Sequence, residues 1–188
     1  MSVTLGRRLV AARPAGRLRS DDFHETPEIA VASLLQVEEF TGPIWEPACG
    51  LGAISSVLEQ RGHTVVSTDL VNREYGTPGI DFLMKWQVRA PNIITNPPFK
   101  NSLAFAEHAT LLATGKVALL CRLSWLAGQK RSRFFKSSPF ARVWVFSKRL
   151  PLMHRDDWTG PRSTSTIDFA WYVWDREHSG PCTVGFLP

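Results

Sequence analysis

Apolar residues follow two patterns that alternate along this chain. Short runs rich in Val, Ile and aromatic residues predict β-strands, and apolar residues spaced three and four positions apart predict helices. Strands are expected at 42–46, 64–69, 91–95, 116–121, 142–147 and 167–174. Helices are expected at 26–40, at 52–61 and after residue 99, where the apolar positions are Leu103, Phe105, Ala106, Ala109 and Leu112. This alternation predicts an α/β fold, with a mainly parallel sheet and helices on both faces.

Three polar or glycine positions follow predicted strands. Gly50 follows the first strand, Asp69 ends the second and Asn96 follows the third. Parallel α/β sheets bind ligands beyond the carboxyl ends of their strands. We therefore expect the functional site at this edge of the sheet.

A glycine-containing turn connects the first strand to its helix. Residues 44–53 read Ile-Trp-Glu-Pro-Ala-Cys-Gly-Leu-Gly-Ala, so backbone can approach a ligand closely at a helix N-terminus. A dinucleotide loop needs a third glycine, but Ser55 stands there, so a pyrophosphate is not the expected ligand. Asp69 ends the next strand, where a carboxylate can accept from both hydroxyls of a ribose. A turn or cap role is the alternative for Asp69, and its position after Gly50 and Gly52 favours ribose binding.

A further acid, Asp81, follows Gly79-Ile80 and precedes Phe82. Its carboxylate would suit the amino group of an adenine, with Phe82 as an apolar wall for the ring. A helix N-cap is an equally good interpretation of this Asp.

The segment Asn96-Pro97-Pro98-Phe99 indicates a reaction. An exocyclic amine on a nucleobase is a poor nucleophile because its lone pair is delocalised into the ring. The side-chain oxygen of Asn96 and the carbonyl of Pro97 can draw such a nitrogen toward tetrahedral geometry. The prolines hold φ at about −65° and stiffen the loop, and Phe99 offers a face for stacking a base. Asn-Pro-Pro is also an ordinary turn sequence, and the upstream glycine turn favours the catalytic interpretation.

In their order along residues 23–175, these pieces resemble the S-adenosylmethionine-dependent amino-methyltransferases, above all the DNA adenine-N6 methyltransferases in a small phage- or mobile-element-like form. The resemblance implies a Rossmann-like methyltransferase fold with a seven-stranded sheet, S-adenosylmethionine as cofactor, and the loop from Asn96 to Phe99 as the catalytic motif. It assigns cofactor contacts to Phe23, His24, Thr26, Pro27, Glu46, Pro47, Ala48, Cys49, Gly50, Gly52, Asp69, Leu70, Asp81 and Phe82. His24 stands where the family has a Tyr, and Phe23 is a possible replacement for that ring.

Length and composition agree with one catalytic domain over residues 21–188. The chain has 188 residues, of which 44% are hydrophobic, enough to bury a full core. Its cysteines, Cys49, Cys121 and Cys182, are too few and too scattered for a disulfide framework or a zinc site. No apolar stretch approaches the roughly 20 residues of a membrane span. We expect a soluble cytoplasmic protein with no metal and no membrane partner.

The formal charge of +5 is concentrated at the start of the chain. Residues 1–20 hold five arginines and no acid, and the other 17 basic residues balance the 17 acids. This tail lacks periodicity, which predicts disorder, and its charge suits contact with nucleic acid. An inert leader, a start site placed too early and an organelle transit peptide are the alternatives.

The rest of the chain is divided by charge as well. Residues 21–107 carry twelve acids and five bases, whereas residues 109–155 carry ten bases and no acid. Phosphate contacts are predicted for Lys100, Lys130, Arg131 and Arg133. The resemblance places residues 150–162 beside the target base, where His154, Arg155 and Trp158 would hold a flipped nucleotide. A plain connecting loop is the alternative for that segment.

The chain offers little room for a target-recognition region that would contact specific bases of DNA. Only one helix fits between residues 100 and 116, and 13 residues follow Asp175. We therefore expect DNA methylation with relaxed or very short sequence preference, or a recognition surface supplied by a second copy, so that a monomer and a homodimer both remain open. The same loop occurs in enzymes that methylate RNA bases or a protein glutamine amide, which are alternative functions. A non-catalytic nucleic-acid-binding module is a third.

Overall fold

The computed structural model describes residues 25–151 and 167–188. Within them, the strands are β1 Ile44–Glu46, β2 Val65–Ser67, β3 Asn92–Thr95, β4 Lys116–Arg122, β5 Phe140–Phe146, β6 Phe169–Asp175 and β7 Thr183–Leu187. The helices are α1 Glu28–Val37, α2 Ala53–Gln60, α3 Ser102–Leu112 and α4 Gln129–Ser137. Short 3-10 turns lie at Phe82–Met84, Phe99–Asn101 and Leu123–Leu126. No helix in the described residues is long and apolar enough to cross a membrane.

All seven strands form one sheet in the order β2-β1-β3-β4-β6-β5-β7. β6 runs antiparallel to both of its neighbours, and every other pair is parallel. The predicted mainly parallel, seven-stranded sheet is confirmed. β1, β2, β3 and β4 end at one edge of the sheet, which we call the carboxyl edge.

Helices cover both faces of the sheet, as predicted. Successive residues of a strand point to opposite faces, so Ile93 and Ile94 of β3 enter two different clusters. α1 and α2 pack on the face that contains Ile94. α3 packs on the face that contains Ile93, with Phe134 and Phe135 of α4 against the same cluster.

Two elements, β7 and α4, escape prediction. β7 is short and interrupted by Gly185, where a Cβ would lie 2.0 Å from the Trp144 ring, so the glycine is needed for close contact with β5. α4 is mostly polar, and its apolar residues Phe134 and Phe135 are adjacent, so it shows no helical period. Tertiary packing forms both elements, and local pattern does not reveal them.

A buried ion-pair network joins α1 to the sheet at the edge opposite the carboxyl edge. Glu38, 5% exposed, accepts hydrogen bonds from Lys116 Nζ at 3.0 Å, from Trp144 Nε1 at 2.9 Å and from Arg142. Burial alone would raise the pKa of Glu38, but these hydrogen bonds more than offset it and hold the pKa below its ordinary value. The network therefore stabilises the fold away from the carboxyl edge.

Candidate active site

A cleft of about 420 Å³ opens at the carboxyl edge. Of the residues predicted to bind the cofactor, its lining contains Thr26, Glu46, Pro47, Ala48, Cys49, Asp69, Leu70, Asp81 and Phe82. The lining also contains Asn96 and Pro98 of the predicted catalytic loop, and Lys100, the residue that follows the loop. The structure thus brings the two predicted motifs to one cleft.

The turn between β1 and α2 has backbone that only glycine adopts easily. Gly50 and Gly52 have φ values of 56° and 85°, in the left-handed region. A Cβ on Gly52 would lie 2.5 Å from the Tyr75 ring. The second glycine is therefore required both by the turn and by the side chain packed against it.

Glu46 ends β1 and is 1% exposed. Its Oε2 accepts from Ser55 N at 2.8 Å and from the Ser55 hydroxyl, which ties it to the first turn of α2. Burial raises the pKa of Glu46 to about 8, against the lowering effect of the Ser55 hydrogen bonds, and the negative charge of Asp69 adds to the rise. The carboxyl is therefore mostly protonated at neutral pH in this state of the chain.

Asp69 follows β2 and is also buried. Gly50 N donates to its Oδ2 at 2.8 Å, while Val71 N and Arg73 donate to its Oδ1 at 2.8 and 3.2 Å. A carboxylate has about four acceptor positions, and these three donors occupy part of that capacity within the described residues. The ribose contact expected of Asp69 stays a prediction.

Cys49 belongs to the cleft lining and is buried. Burial raises the pKa of its thiol to about 12, and the nearby charges of Glu46 and Asp69 act in the same direction. The thiol is therefore protonated at neutral pH and is a poor nucleophile.

Asp81 and Phe82 also line the cleft. Asp81 Oδ1 accepts from Leu83 N at 3.0 Å and caps the 3-10 turn, which is the alternative role that the sequence suggested for it. Phe82 is 2% exposed and packs edge-on to Trp45 and beside Phe105, with ring centroids 5.1 and 4.9 Å apart. Both residues therefore have a structural role in addition to their place in the lining.

The loop after β3 is held at both ends. Asn96 Nδ2 donates to Thr26 Oγ1 at 3.1 Å. At the other end, Ser102 Oγ donates to the Phe99 carbonyl at 3.0 Å, and Trp125 Nε1 donates to Ser102 Oγ at 2.8 Å. The loop is therefore anchored to the segment before α1, to α3 and to the segment after β4.

Phe99, the last residue of the loop, is half-buried. Its ring centroid lies 6.1 Å from that of Phe169, and the guanidinium of Arg122 lies over it at 4.3 Å. The predicted stacking ring is thus present beside the cleft, with a cation on it.

The residues predicted to contact phosphate differ in their surroundings. Lys100, Lys130 and Arg133 are exposed. Arg131 donates from its guanidinium to the Ala127 carbonyl, which uses part of its donor set within its own segment. Lys130 and Arg133 are neighbours on one side of α4 because they lie three positions apart.

Several predicted positions lie outside the described residues. They are the 1–20 tail, the cofactor-contact candidates Phe23 and His24, and the nucleotide-contact candidates His154, Arg155 and Trp158. Pro27, the N-cap residue of α1, directly follows Thr26 of the cleft lining, and Pro97 is buried in the loop.

The cleft also contains residues that the sequence did not single out. They are Glu25, Leu51, Ala53, Ile54, Val71, Arg73, Ile80, Leu83, Asn101 and Phe105. Most of them flank a predicted motif by one or two positions, so proximity in sequence was the available signal. Within the described residues, no group of three or more His, Cys, Asp or Glu side chains is placed to hold a metal ion.

No protein-family model matches the chain, and no curated protein matches it in sequence. Solved structures do match its fold. A Vibrio vulnificus protein assigned as a modification subunit of a type I restriction enzyme has a TM-score of 0.59 at 13% identity, over 86% of this chain and 45% of that one. A Pyrococcus horikoshii protein assigned as an RNA methyltransferase has a TM-score of 0.55 at 16% identity, over 81% and 85%. Magnesium protoporphyrin IX methyltransferase from Synechocystis PCC 6803, solved with bound SAM, has a TM-score of 0.52 at 17% identity, over 79% and 76%.

These similarities concern the fold. The chain spans less than half the length of the Vibrio protein, and the three names cover different substrates. What the matches share with this chain is the arrangement of strands and helices around the sheet. The chain therefore has the Rossmann-like methyltransferase fold.

Proposed function

We propose that the protein is an S-adenosylmethionine-dependent methyltransferase that methylates the exocyclic N6 amine of adenine in DNA. The hydrogen bond from Asn96 to Thr26 is the observation that carries the proposal. It joins the predicted catalytic loop to the predicted cofactor segment, 70 positions away in the sequence, in the lining of one cleft. Because the amide nitrogen binds Thr26, the side-chain oxygen is the atom suited to accept from a substrate amine.

The cleft fits the cofactor in size and chemistry. Its volume of about 420 Å³ lies in the range of small-molecule sites. Glu46, Asp69 and Asp81 offer carboxyl groups to a cationic ligand with hydroxyl and amino groups, and Phe82 offers an apolar surface. By the resemblance, Thr26 and Glu46 would hold the methionine end. When bound, S-adenosylmethionine supplies a methyl group on a positively charged sulfur, open to direct displacement.

The chain's own contribution is to hold two acceptors beside the amine. Asn96 Oδ1 and the Pro97 carbonyl would accept its two N–H groups and draw the nitrogen toward tetrahedral geometry, so that its lone pair attacks the methyl carbon. Acceptors fixed before the reaction cost no reorganisation during it. The anchors of the loop at Thr26 and Ser102 supply that rigidity. The motif contains no general base, so the amine loses its proton after the transfer.

Charge and shape favour a nucleic acid as the substrate. The exposed basic residues Lys130 and Arg133 belong to the part of the chain from 109 to 155 that has no acidic residue. The phosphates of a nucleic-acid backbone are natural partners for such a surface. A base in a duplex must leave the stack at a cost of a few kcal/mol before it can reach the loop. Phe99 would receive it by stacking.

The elements in the described residues support relaxed sequence preference as part of this proposal. The segment after Asp175 forms strand β7 of the main sheet, and residues 102–112 form α3 against it. Neither is a separate helix or ribbon of the kind that reads the major groove. Plasmid methylated by the enzyme and digested with several modification-sensitive nucleases would test this, since strict modification of one long motif contradicts it.

The main test is identification of the methylated product. Purified protein with radiolabelled S-adenosylmethionine is offered duplex DNA, single-stranded DNA, ribosomal RNA or a protein extract, and the product is analysed by mass spectrometry. We expect N6-methyladenine from DNA. Label only in RNA or in protein glutamine would reassign the substrate, and absence of S-adenosylhomocysteine binding in calorimetry would favour a non-catalytic module.

Asn96→Ala tests the catalytic loop. Loss of one fixed acceptor is expected to lower kcat at least about 100-fold, while calorimetry shows S-adenosylhomocysteine binding largely unchanged. Asn72→Ala makes the same substitution in an exposed turn, where Asn72 Oδ1 accepts from Glu74 N, and should keep full activity. Equal activity in Asn96→Ala and the wild type would overturn the assignment.

A further inference from the structure

Arg122 lies beside the catalytic loop, although neither the glycine turn nor the Asn-Pro-Pro-Phe motif includes it. It ends β4, three residues beyond Leu119, which pairs with Thr95 at the end of β3. The parallel register brings it level with the loop that begins at Asn96. Its guanidinium lies over the Phe99 ring, 4.3 Å from the centroid, well within cation–π distance.

The backbone of Arg122 is fixed, while its charge faces solvent. The buried Tyr172 hydroxyl bridges the carbonyls of Arg122 and Leu123 at 3.0 and 3.1 Å, and Leu123 N donates to the Asp168 carbonyl at 2.8 Å. The Arg122 side chain is exposed. Within residues 25–151 and 167–188, no carboxylate lies within ion-pair distance of it. A planar group with five N–H donors is thus presented at the loop, and the part of the chain that the structure describes places no ion-pairing acid beside it.

We infer that Arg122 binds a phosphate of the target nucleotide and yields the face of Phe99 to the target base. This inference rests on the proposed function and adds a residue that positions the substrate. A base that stacks on the same face of Phe99 displaces the guanidinium from the ring. The displaced group retains its charge, and the sugar-phosphate attached to the entering base brings an anion to the same place. Arg suits this exchange because its guanidinium stacks on rings and binds phosphate with two parallel hydrogen bonds.

A role in structure alone predicts different behaviour. A cation–π contact that only stiffened the loop would change kcat or folding and would leave the salt dependence of DNA binding unaltered. A phosphate contact contributes to that salt dependence because its formation releases counterions from DNA. The salt dependence therefore separates the two roles.

The experiment measures binding of a short fluorescein-labelled duplex by anisotropy over a range of KCl concentrations. The variants are Arg122→Gln and Arg122→Lys, and the matched control is Arg61→Gln. Arg61 is exposed at the C-terminal end of α2, away from the carboxyl edge, where α2 begins. Its replacement by Gln removes the same charge as Arg122→Gln does. S-adenosylhomocysteine binding by calorimetry reports whether each variant is folded.

Arg122→Gln is expected to weaken duplex binding about tenfold and to reduce the slope of log K against log salt by about 0.9. Arg122→Lys should restore the slope because the charge returns, and Arg61→Gln should match the wild type. If Arg122→Gln does not fold, Arg122→Lys provides the test. A slope of log K against log salt that is lower in Arg122→Lys than in the wild type then overturns the inference. A wild-type slope and affinity in Arg122→Gln overturn it too, while the proposed function stands if the wild type methylates DNA. A wild type that neither binds nor methylates DNA overturns both.

Discussion

Replacing Glu46 by Gln should stabilise the unliganded protein at neutral pH. Burial raises the pKa of the Glu46 carboxyl from its ordinary value of 4.5 to about 8 in the folded chain. Between these values the folded state holds a proton that the unfolded state has lost. The free energy of unfolding of the wild type therefore falls as the pH rises from 4.5 to about 8, and it is independent of this group above that range.

The size of the stability difference follows from the distance between the unfolded-state pKa of 4.5 and the pH of the measurement. One pH unit corresponds to about 1.4 kcal/mol, so ionisation of the unfolded state costs the wild type about 3 kcal/mol at pH 7. A Gln side chain has the shape of a protonated carboxyl and does not titrate, and its oxygen can still accept from Ser55 N. Glu46→Gln should therefore equal the wild type near pH 4.5 and exceed it by about 3 kcal/mol at pH 7.

Urea unfolding of both proteins at half-unit steps of pH, without cofactor, measures this difference. Glu39→Gln is a suitable control because Glu39 is exposed at the end of α1, and it should change stability by less than about 0.5 kcal/mol. Two outcomes would show that Glu46 is ionised when folded. One is a Glu46→Gln protein that is less stable than the wild type at pH 7. The other is a difference in the free energy of unfolding that does not change between pH 5 and pH 8. The gain in stability should accompany weaker binding of S-adenosylmethionine, the usual compromise at a functional site.

Two further substitutions test the anchors described above. Trp125→Phe removes the hydrogen-bond donor to Ser102, whose hydroxyl in turn holds the Phe99 carbonyl. We expect a loss of about 1 kcal/mol in the free energy of unfolding and an approximately tenfold lower kcat. The affinity for S-adenosylhomocysteine, measured by calorimetry as the control, should be unchanged. Glu38→Gln removes the carboxylate that Lys116 and Arg142 share, while both cations keep Asp175 within 3.9 Å, and should cost about 2 kcal/mol in urea unfolding at pH 7. Since the pKa of Glu38 is lowered on folding, that loss should shrink as the pH falls below 4.5, and a pH-independent loss would contradict the ionic explanation.

The alternation of patterns in the sequence predicted the parallel part of the sheet because each strand there is a short apolar run. β1, β3 and β4 begin within two residues of their predicted starts. The prediction missed β7, whose position depends on how closely Gly185 lets it approach Trp144. Contact with a ring from another strand is a tertiary property, and no local pattern in residues 183–187 reveals it.

The site was predictable where its chemistry is carried by consecutive residues. The turn around Gly50 and the loop that begins at Asn96 were both found, and both contribute to one cleft, because a turn or a stiff loop restricts the residue types that it can hold. The partners of these residues were not found. The bond from Asn96 to Thr26 and the contact of Arg122 with Phe99 join residues 70 and 23 positions apart, and their spacing carries no signal.

The division of charge along the sequence is partly a division along the sheet, although the acidic part also reaches the basic part through Glu38, which binds Lys116 and Arg142. The acidic part of the chain, residues 21–107, contains β1, β2 and β3 and supplies Glu46, Asp69 and Asp81 to the cleft. The basic part, residues 109–155, contains β4, α4 and β5. The two halves meet where β3 pairs with β4. On the proposed function, a cationic cofactor and a polyanionic substrate would be attracted to opposite sides of this line, and the predicted catalytic loop and Arg122 lie along it.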